Sequence, residues 1–132
     1  MVEVRDGSIL VDGDRVAFTA AGEHGAPVVL VHGGASTRRD WAETVPVLAS
    51  AHRVYALDLL GYGESDNPEL VYTLRRMSDL LQGFIEEMRL EPVHLVGHSL
   101  GASIGLELAR LAPESVGRLV LVTPMGLGGM SP

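Results

Sequence analysis

Val93-His94-Leu95-Val96-Gly97-His98-Ser99-Leu100-Gly101-Ala102-Ser103-Ile104-Gly105 is the stretch on which the reading of this chain turns. Val93 to Val96 is a short apolar run, the pattern of a strand covered on both faces. The run ends in Gly97-x-Ser99-x-Gly101, and apolar residues then recur along one helical pattern: Leu100, Ile104, Leu106, Leu108 and Leu111. Strand, sharp turn with serine at the tip, helix is the context in which G-x-S-x-G marks a nucleophile elbow. Such a turn strains the serine backbone, so side chains two residues to either side would collide. Gly97 and Gly101 remove them, and Gly105 lets the helix approach a neighbouring strand. A serine before a helix is commonly no more than an N-cap. The strand before it and the rest of the chain favour the reactive reading.

Composition narrows the classes. The chain has 132 residues, enough for one domain, and 46% of them are hydrophobic, which suits a packed core rather than disorder. The net charge is −7 and every basic residue is arginine. Beyond Arg38-Arg39 and Arg75-Arg76 there is no basic cluster, so a nucleic-acid partner has no electrostatic footprint. Arg75 and Arg76 read as the solvated side of a helix. With no cysteine, disulfides and thiolate–zinc sites are excluded, and no metal or cofactor is implied. No apolar run approaches the roughly 20 residues that span a bilayer, and no signal-type leader stands at Met1. The expectation is a soluble, cytoplasmic protein without a membrane partner.

Outward from the elbow, the chain alternates strands and helices. Ser8–Val11 and Arg15–Thr19 read as two strands joined by Asp12-Gly13-Asp14. Ala21–Pro27 is a loop, and Val28–Val31 a buried-type strand running into His32-Gly33-Gly34-Ala35-Ser36-Thr37. A helix is expected over about 39–49, with Trp41, Val45 and Leu48 on one face, made irregular or divided by Pro46. Arg53–Asp58 is a strand, followed by Leu59-Leu60-Gly61-Tyr62-Gly63-Glu64-Ser65-Asp66. Residues 73–90 form the best amphipathic helix, with Thr73 as N-cap. Arg118–Thr123 is a further strand, and 124–132 a glycine-rich flexible tail. The alternation predicts an α/β fold: a mostly parallel sheet with right-handed crossovers and helices on both faces. Ligands of such sheets lie beyond the carboxyl ends of the strands. There the His32-Gly33-Gly34 loop, the Gly61-Tyr62-Gly63 loop and the elbow should meet.

Acyl transfer to serine needs hydrogen-bond donors aimed at the oxygen that becomes negative. The Leu100 N–H heads the elbow helix, where the helix dipole favours negative charge. The Gly34 N–H is the expected second donor. Gly97, His98 and Gly101 shape the elbow, while His32 and Gly33 brace the loop. Two rival glycine readings fail: Gly61-x-Gly63-x-x-Asp66 lacks the third glycine of a dinucleotide fingerprint, and a Walker A loop needs a lysine.

Taken together, His32-Gly33-Gly34, then Asp58-x-x-Gly61-x-Gly63-x-Ser65, then Gly97-His98-Ser99-x-Gly101 resemble the amino-terminal half of an α/β-hydrolase. The resemblance runs from the first hairpin to the strand ending at Thr123. It implies that Ser99 is the nucleophile, that Gly34 and Leu100 form the oxyanion hole, and that residues 58–65 shape the rim. Serine at the elbow argues against haloalkane dehalogenases and epoxide hydrolases of this fold, which carry aspartate there.

A serine hydroxyl is a weak nucleophile until a base takes its proton. The family order places the acid and then the histidine after the serine. Here only Glu107 and Glu114 follow as acids, and all five histidines precede Ser99. His24 and His52 read as loop residues and His94 as a structural one. We therefore expect 1–132 to be the amino-terminal part of such a domain, inactive alone. The tail 124–132 would lead toward a lid, and a complementary carboxy-terminal segment would carry lid, acid and histidine. The expected activity is a serine hydrolase of a small-molecule acyl substrate, most simply an ester. Alternatives are a carbon–carbon bond hydrolase, to which Met125-Gly126-Leu127-Gly128-Gly129 is similar, a cofactor-free perhydrolase, and a ligand-binding or association module without turnover. Against the carbon–carbon reading, such enzymes usually carry asparagine where His98 stands.

Overall fold

A computed structural model describes residues 2–69 and 72–124. Six strands form one sheet: β1 (Val4–Val11), β2 (Asp14–Ala21), β3 (Pro27–Val31), β4 (Arg53–Leu57), β5 (Val93–His98) and β6 (Val116–Val122), in the order β1-β2-β4-β3-β5-β6. β1 and β2 are antiparallel, as are β2 and β4, whereas β4, β3, β5 and β6 run parallel. The helices are α1 (Thr44–Leu48), α2 (Leu74–Glu87) and α3 (Leu100–Leu111). This is the mostly parallel α/β sheet expected from the alternation of elements.

The parallel strands alternate between two cores. Val29 and Val31 of β3, with Tyr55 and Leu57 of β4, face α2 and α3, where they bury Leu81, Phe84, Ile85, Ile104 and Leu108. Val28, Leu30, Val54 and Ala56 face the other way, against Val45 and Ala49 at α1. Every residue of β3 is buried, which is why its sequence is apolar throughout. At about 25 cal/mol per Å² of apolar surface, a fully buried leucine or valine contributes on the order of 2 kcal/mol. The two-sided β3 is accordingly the axis of the molecule.

Local chemistry accounts for the boundaries. Asp12 and Gly13 both have positive φ, 52° and 88°, as a tight two-residue hairpin turn requires. The hairpin is longer than Ser8–Val11 and Arg15–Thr19, because its ladder runs from Val4↔Ala21 to Val11↔Asp14. Most of β1 is exposed, so its outer half has no apolar alternation to announce it. The helix expected over 39–49 is divided into a 3-10 turn, Arg38–Trp41, and the short α1. Pro46 falls in the first turn of α1, where a missing N–H costs little. Thr73 caps α2 by accepting from the Arg76 N–H at 3.1 Å. Among the described residues no helix is long and apolar enough to cross a membrane.

Candidate active site

At the carboxyl end of β5 the chain reverses through Ser99, whose backbone angles are φ 55° and ψ −114°. A left-handed φ at a non-glycine residue is a strained conformation, held only where the surroundings enforce it. The enforcement is visible in the two flanking glycines. A Cβ on Gly97 would lie 2.4 Å from the Gly101 carbonyl oxygen, and one on Gly101 would lie 2.2 Å from the Val31 carbonyl oxygen. Gly101 thus seats the head of α3 directly on the end of β3. The Ser99 N–H donates to the Val122 carbonyl at 3.0 Å, tying the turn to β6 as well. Gly105 brings α3 to within 3.3 Å of the Leu119 side chain, measured from the Cβ it lacks.

Ser99 is half-buried, and its hydroxyl has no hydrogen-bond partner among the described residues. Its carbonyl accepts from Ala102 and Ser103, at 3.0 and 3.2 Å. The Leu100 N–H, in the first turn of α3, has no carbonyl four residues back to bond within the helix. The loop after β3 lies alongside. A Cβ on Gly33 would sit 3.3 Å from the Ser99 Cβ and 3.2 Å from His98 Nδ1. One on Gly34 would sit 3.6 Å from Leu100 Cδ2 and 3.9 Å from the Tyr62 hydroxyl. The three glycine-bearing segments meet at one rim, where the exposed Gly34 lies beside Leu100 and Tyr62.

His32 holds two of those segments together. It is fully buried, its Nε2 accepts from the Leu59 N–H at 3.1 Å, and its Nδ1 stands 2.7 Å from the Gly33 carbonyl oxygen. An Nε2 that accepts requires the proton on Nδ1, which therefore donates to Gly33. Burial, only partly opposed by that hydrogen bond and by the Asp58 charge, lowers its pKa. With both nitrogens engaged, His32 is a neutral brace and has no lone pair left for a serine proton. His94 is likewise occupied, its Nδ1 accepting from the Arg118 N–H at 3.0 Å. His24 is exposed in the loop before β3. His52 follows α1, with Nδ1 buried and without a partner among the described residues.

Beneath the rim lies a charged cluster that the sequence did not announce. Asp58, fully buried, accepts from the Arg38 N–H at 2.7 Å, from the Arg38 guanidinium, and from the Glu64 N–H at 2.9 Å. Arg38 also donates to Thr19 Oγ1 and to Glu64, both at 2.9 Å. Burial alone would lower the Arg38 pKa, but Glu64 and Asp58 outweigh it and raise it. Ser65 Oγ donates to the Asp58 carbonyl at 2.7 Å and accepts from the Ala17 N–H at 2.8 Å. In the sequence Arg38 looks like half of a small surface basic pair. Nothing in its neighbourhood signals a buried partner twenty positions away. No cluster of three or more metal-ligating side chains occurs among the described residues. Met125-Gly126-Leu127-Gly128-Gly129 and the tail to Pro132 lie outside the described residues.

Known proteins match this arrangement closely. The family model for the alpha/beta hydrolase fold matches residues 26–132. The dihydrolipoyllysine-residue acetyltransferase component of the acetoin cleaving system of Pseudomonas putida is 39% identical over 111 residues, 84% of this chain and 30% of that protein. The 2-hydroxy-6-oxo-6-(2'-aminophenyl)hexa-2,4-dienoic acid hydrolase of Metapseudomonas resinovorans is 38% identical over 119 residues, 87% of this chain and 41% of that protein. An alpha/beta hydrolase fold protein from Burkholderia ambifaria, known from its crystal structure, superposes with a TM-score of 0.85 at 33% identity, over 92% of this chain and 45% of that one. The chain thus spans less than half the length of these relatives. Fold, turn geometry and family model agree: the chain belongs to the alpha/beta hydrolase fold family.

Proposed function

We propose that this chain supplies the nucleophile and oxyanion hole of a serine hydrolase acting on an ester or related acyl bond. The observation that carries the reading is the strained Ser99, its hydroxyl without a hydrogen-bond partner among the described residues, beside Gly33-Gly34 and at the head of α3. In this reading Ser99 Oγ attacks the acyl carbon while the carbonyl oxygen takes up negative charge between the Gly34 and Leu100 amides. Such donors cost no reorganisation when charge develops, and losing one typically lowers turnover about 10²–10³-fold. The leaving group departs, and water then hydrolyses the acyl-enzyme.

The base is assigned elsewhere than on this chain. No histidine follows Ser99 in the sequence, and His32 has both ring nitrogens engaged. We assign histidine, acid and lid to a complementary carboxy-terminal segment. A second reading, hydrolysis of a carbon–carbon bond in an oxo-dienoic acid, is favoured by relatives named as hydrolases of such compounds, at 38% identity. Both readings place the same hydroxyl against a carbonyl carbon.

The deciding experiment is fluorophosphonate labelling of the complete protein with mass mapping. An adduct on Ser99, absent in Ser99→Ala, is the expected result. No adduct in the complete protein would overturn hydrolase chemistry and leave a ligand-binding or association module.

A further inference from the structure

One polar group at the rim has no part in the reading so far: the Tyr62 hydroxyl. Tyr62 sits in the loop after β4 between Gly61 and Gly63, whose φ angles are 85° and 54°. Its N–H donates to the Leu59 carbonyl at 3.0 Å and its carbonyl accepts from the Ser65 N–H at 3.2 Å. A Cβ at Gly63 would fall 2.3 Å from Asp58 Oδ2, so this loop is pressed onto the buried Asp58 carboxylate. The Tyr62 ring meets the His32 ring edge-on, with centroids 5.3 Å apart and planes at 69°. His32 is itself fixed at both nitrogens, so the Tyr62 ring packs against a fixed neighbour.

The hydroxyl at the end of that fixed ring has no hydrogen-bond partner among the described residues. Tyr72 nearby is different: its hydroxyl bonds Asn67 Oδ1 and the Pro68 carbonyl, both at 3.1 Å. The Tyr62 hydroxyl lies 3.9 Å from where a Gly34 Cβ would be, across from Leu100 Cδ2 at 3.6 Å from the same point. A donor without a partner among the described residues stands beside the exposed Gly34, on a ring packed edge-on against His32.

We propose that Tyr62 contacts the substrate, its hydroxyl donating a third hydrogen bond to the acyl oxygen held by the Gly34 and Leu100 amides. This rests on the acyl-enzyme reading above. The phenol keeps its proton throughout; it strengthens a hydrogen bond as charge develops and transfers nothing. The class of substrate that gains is one whose reacting oxygen becomes anionic, a carboxylic or phosphonic acyl group.

Tyr62→Phe isolates the claim, because phenylalanine keeps the ring on His32 and removes only the hydroxyl. The readout is the second-order rate of Ser99 labelling by a fluorophosphonate in the complete protein, with Tm measured alongside. The phosphoryl oxygen of that probe occupies the position of the acyl oxygen. Labelling about 10²-fold slower with an unchanged Tm is the expected result, the low end of what losing one donor to a developing oxyanion costs. A labelling rate equal to wild type overturns the assignment while leaving Ser99 as nucleophile. A slower rate accompanied by a lower Tm also overturns it, since the hydroxyl would then be supporting the fold. Absence of labelling in the wild-type protein removes the acyl-enzyme reading itself.

Discussion

His32 shows how much more a side chain reveals in three dimensions than its place in the sequence does. Its position before Gly33-Gly34 suggests a brace, and its two hydrogen bonds, to Leu59 and Gly33, make it a bridge between the loops after β3 and β4. Because burial lowers its pKa below the ordinary 6.5, the unfolded chain binds this proton more readily than the folded one. Its contribution to stability is therefore complete above about pH 6.5 and is lost as the pH falls below it. Unfolding free energies measured between about pH 8 and pH 5 should decline on the acid side. In His32→Gln that decline should be shallower, even though the variant starts from a lower stability. Ser99 and its glycines were legible because their spacing is dictated by sterics that any chain must obey. The Arg38–Asp58 contact was not, since a buried ion pair leaves no periodic trace.

At the scale of elements, the rim depends on two loops being stapled to one another. Arg38 begins the 3-10 turn beyond Gly34, and Asp58 follows the last residue of β4. Their side chains are only 4% and 0% exposed. Removing one partner of such a pair strands the other charge without water, which costs about 3–5 kcal/mol. Arg38→Met should lower the denaturation midpoint accordingly. The double variant Arg38→Met, Asp58→Leu should recover only part of the loss, because it also deprives the Arg38 and Glu64 N–H groups of their acceptor, and denaturant titration of the three proteins measures both effects. The elements themselves were legible wherever burial is two-sided or amphipathic, as in β3 and α2. They were blurred where it is not: β1 is mostly exposed and hides its outer half, and Pro46 left the helix near Trp41 irregular in the sequence and divided in space.

For the molecule as a whole, β6 forms one edge of the described sheet, with Val120 50% and Val122 40% exposed. β6 carries a single charge, Arg118, and its residues 119–122 are all apolar, an edge that invites pairing with another chain. Residues 1–132 expressed alone should self-associate at micromolar concentration, seen by sedimentation. Val120→Lys with Val122→Lys should return the population toward the 14.0 kDa monomer. The strand order carries a different consequence. β3 lies between β4 and β5, and Val31 at its tip pairs with Gly97, made far later in the chain. During synthesis on the ribosome, the most oily strand of the sheet must wait with one side uncovered until the serine turn has emerged. The nascent chain is then at its most adhesive, and chaperone capture would be most useful in that interval.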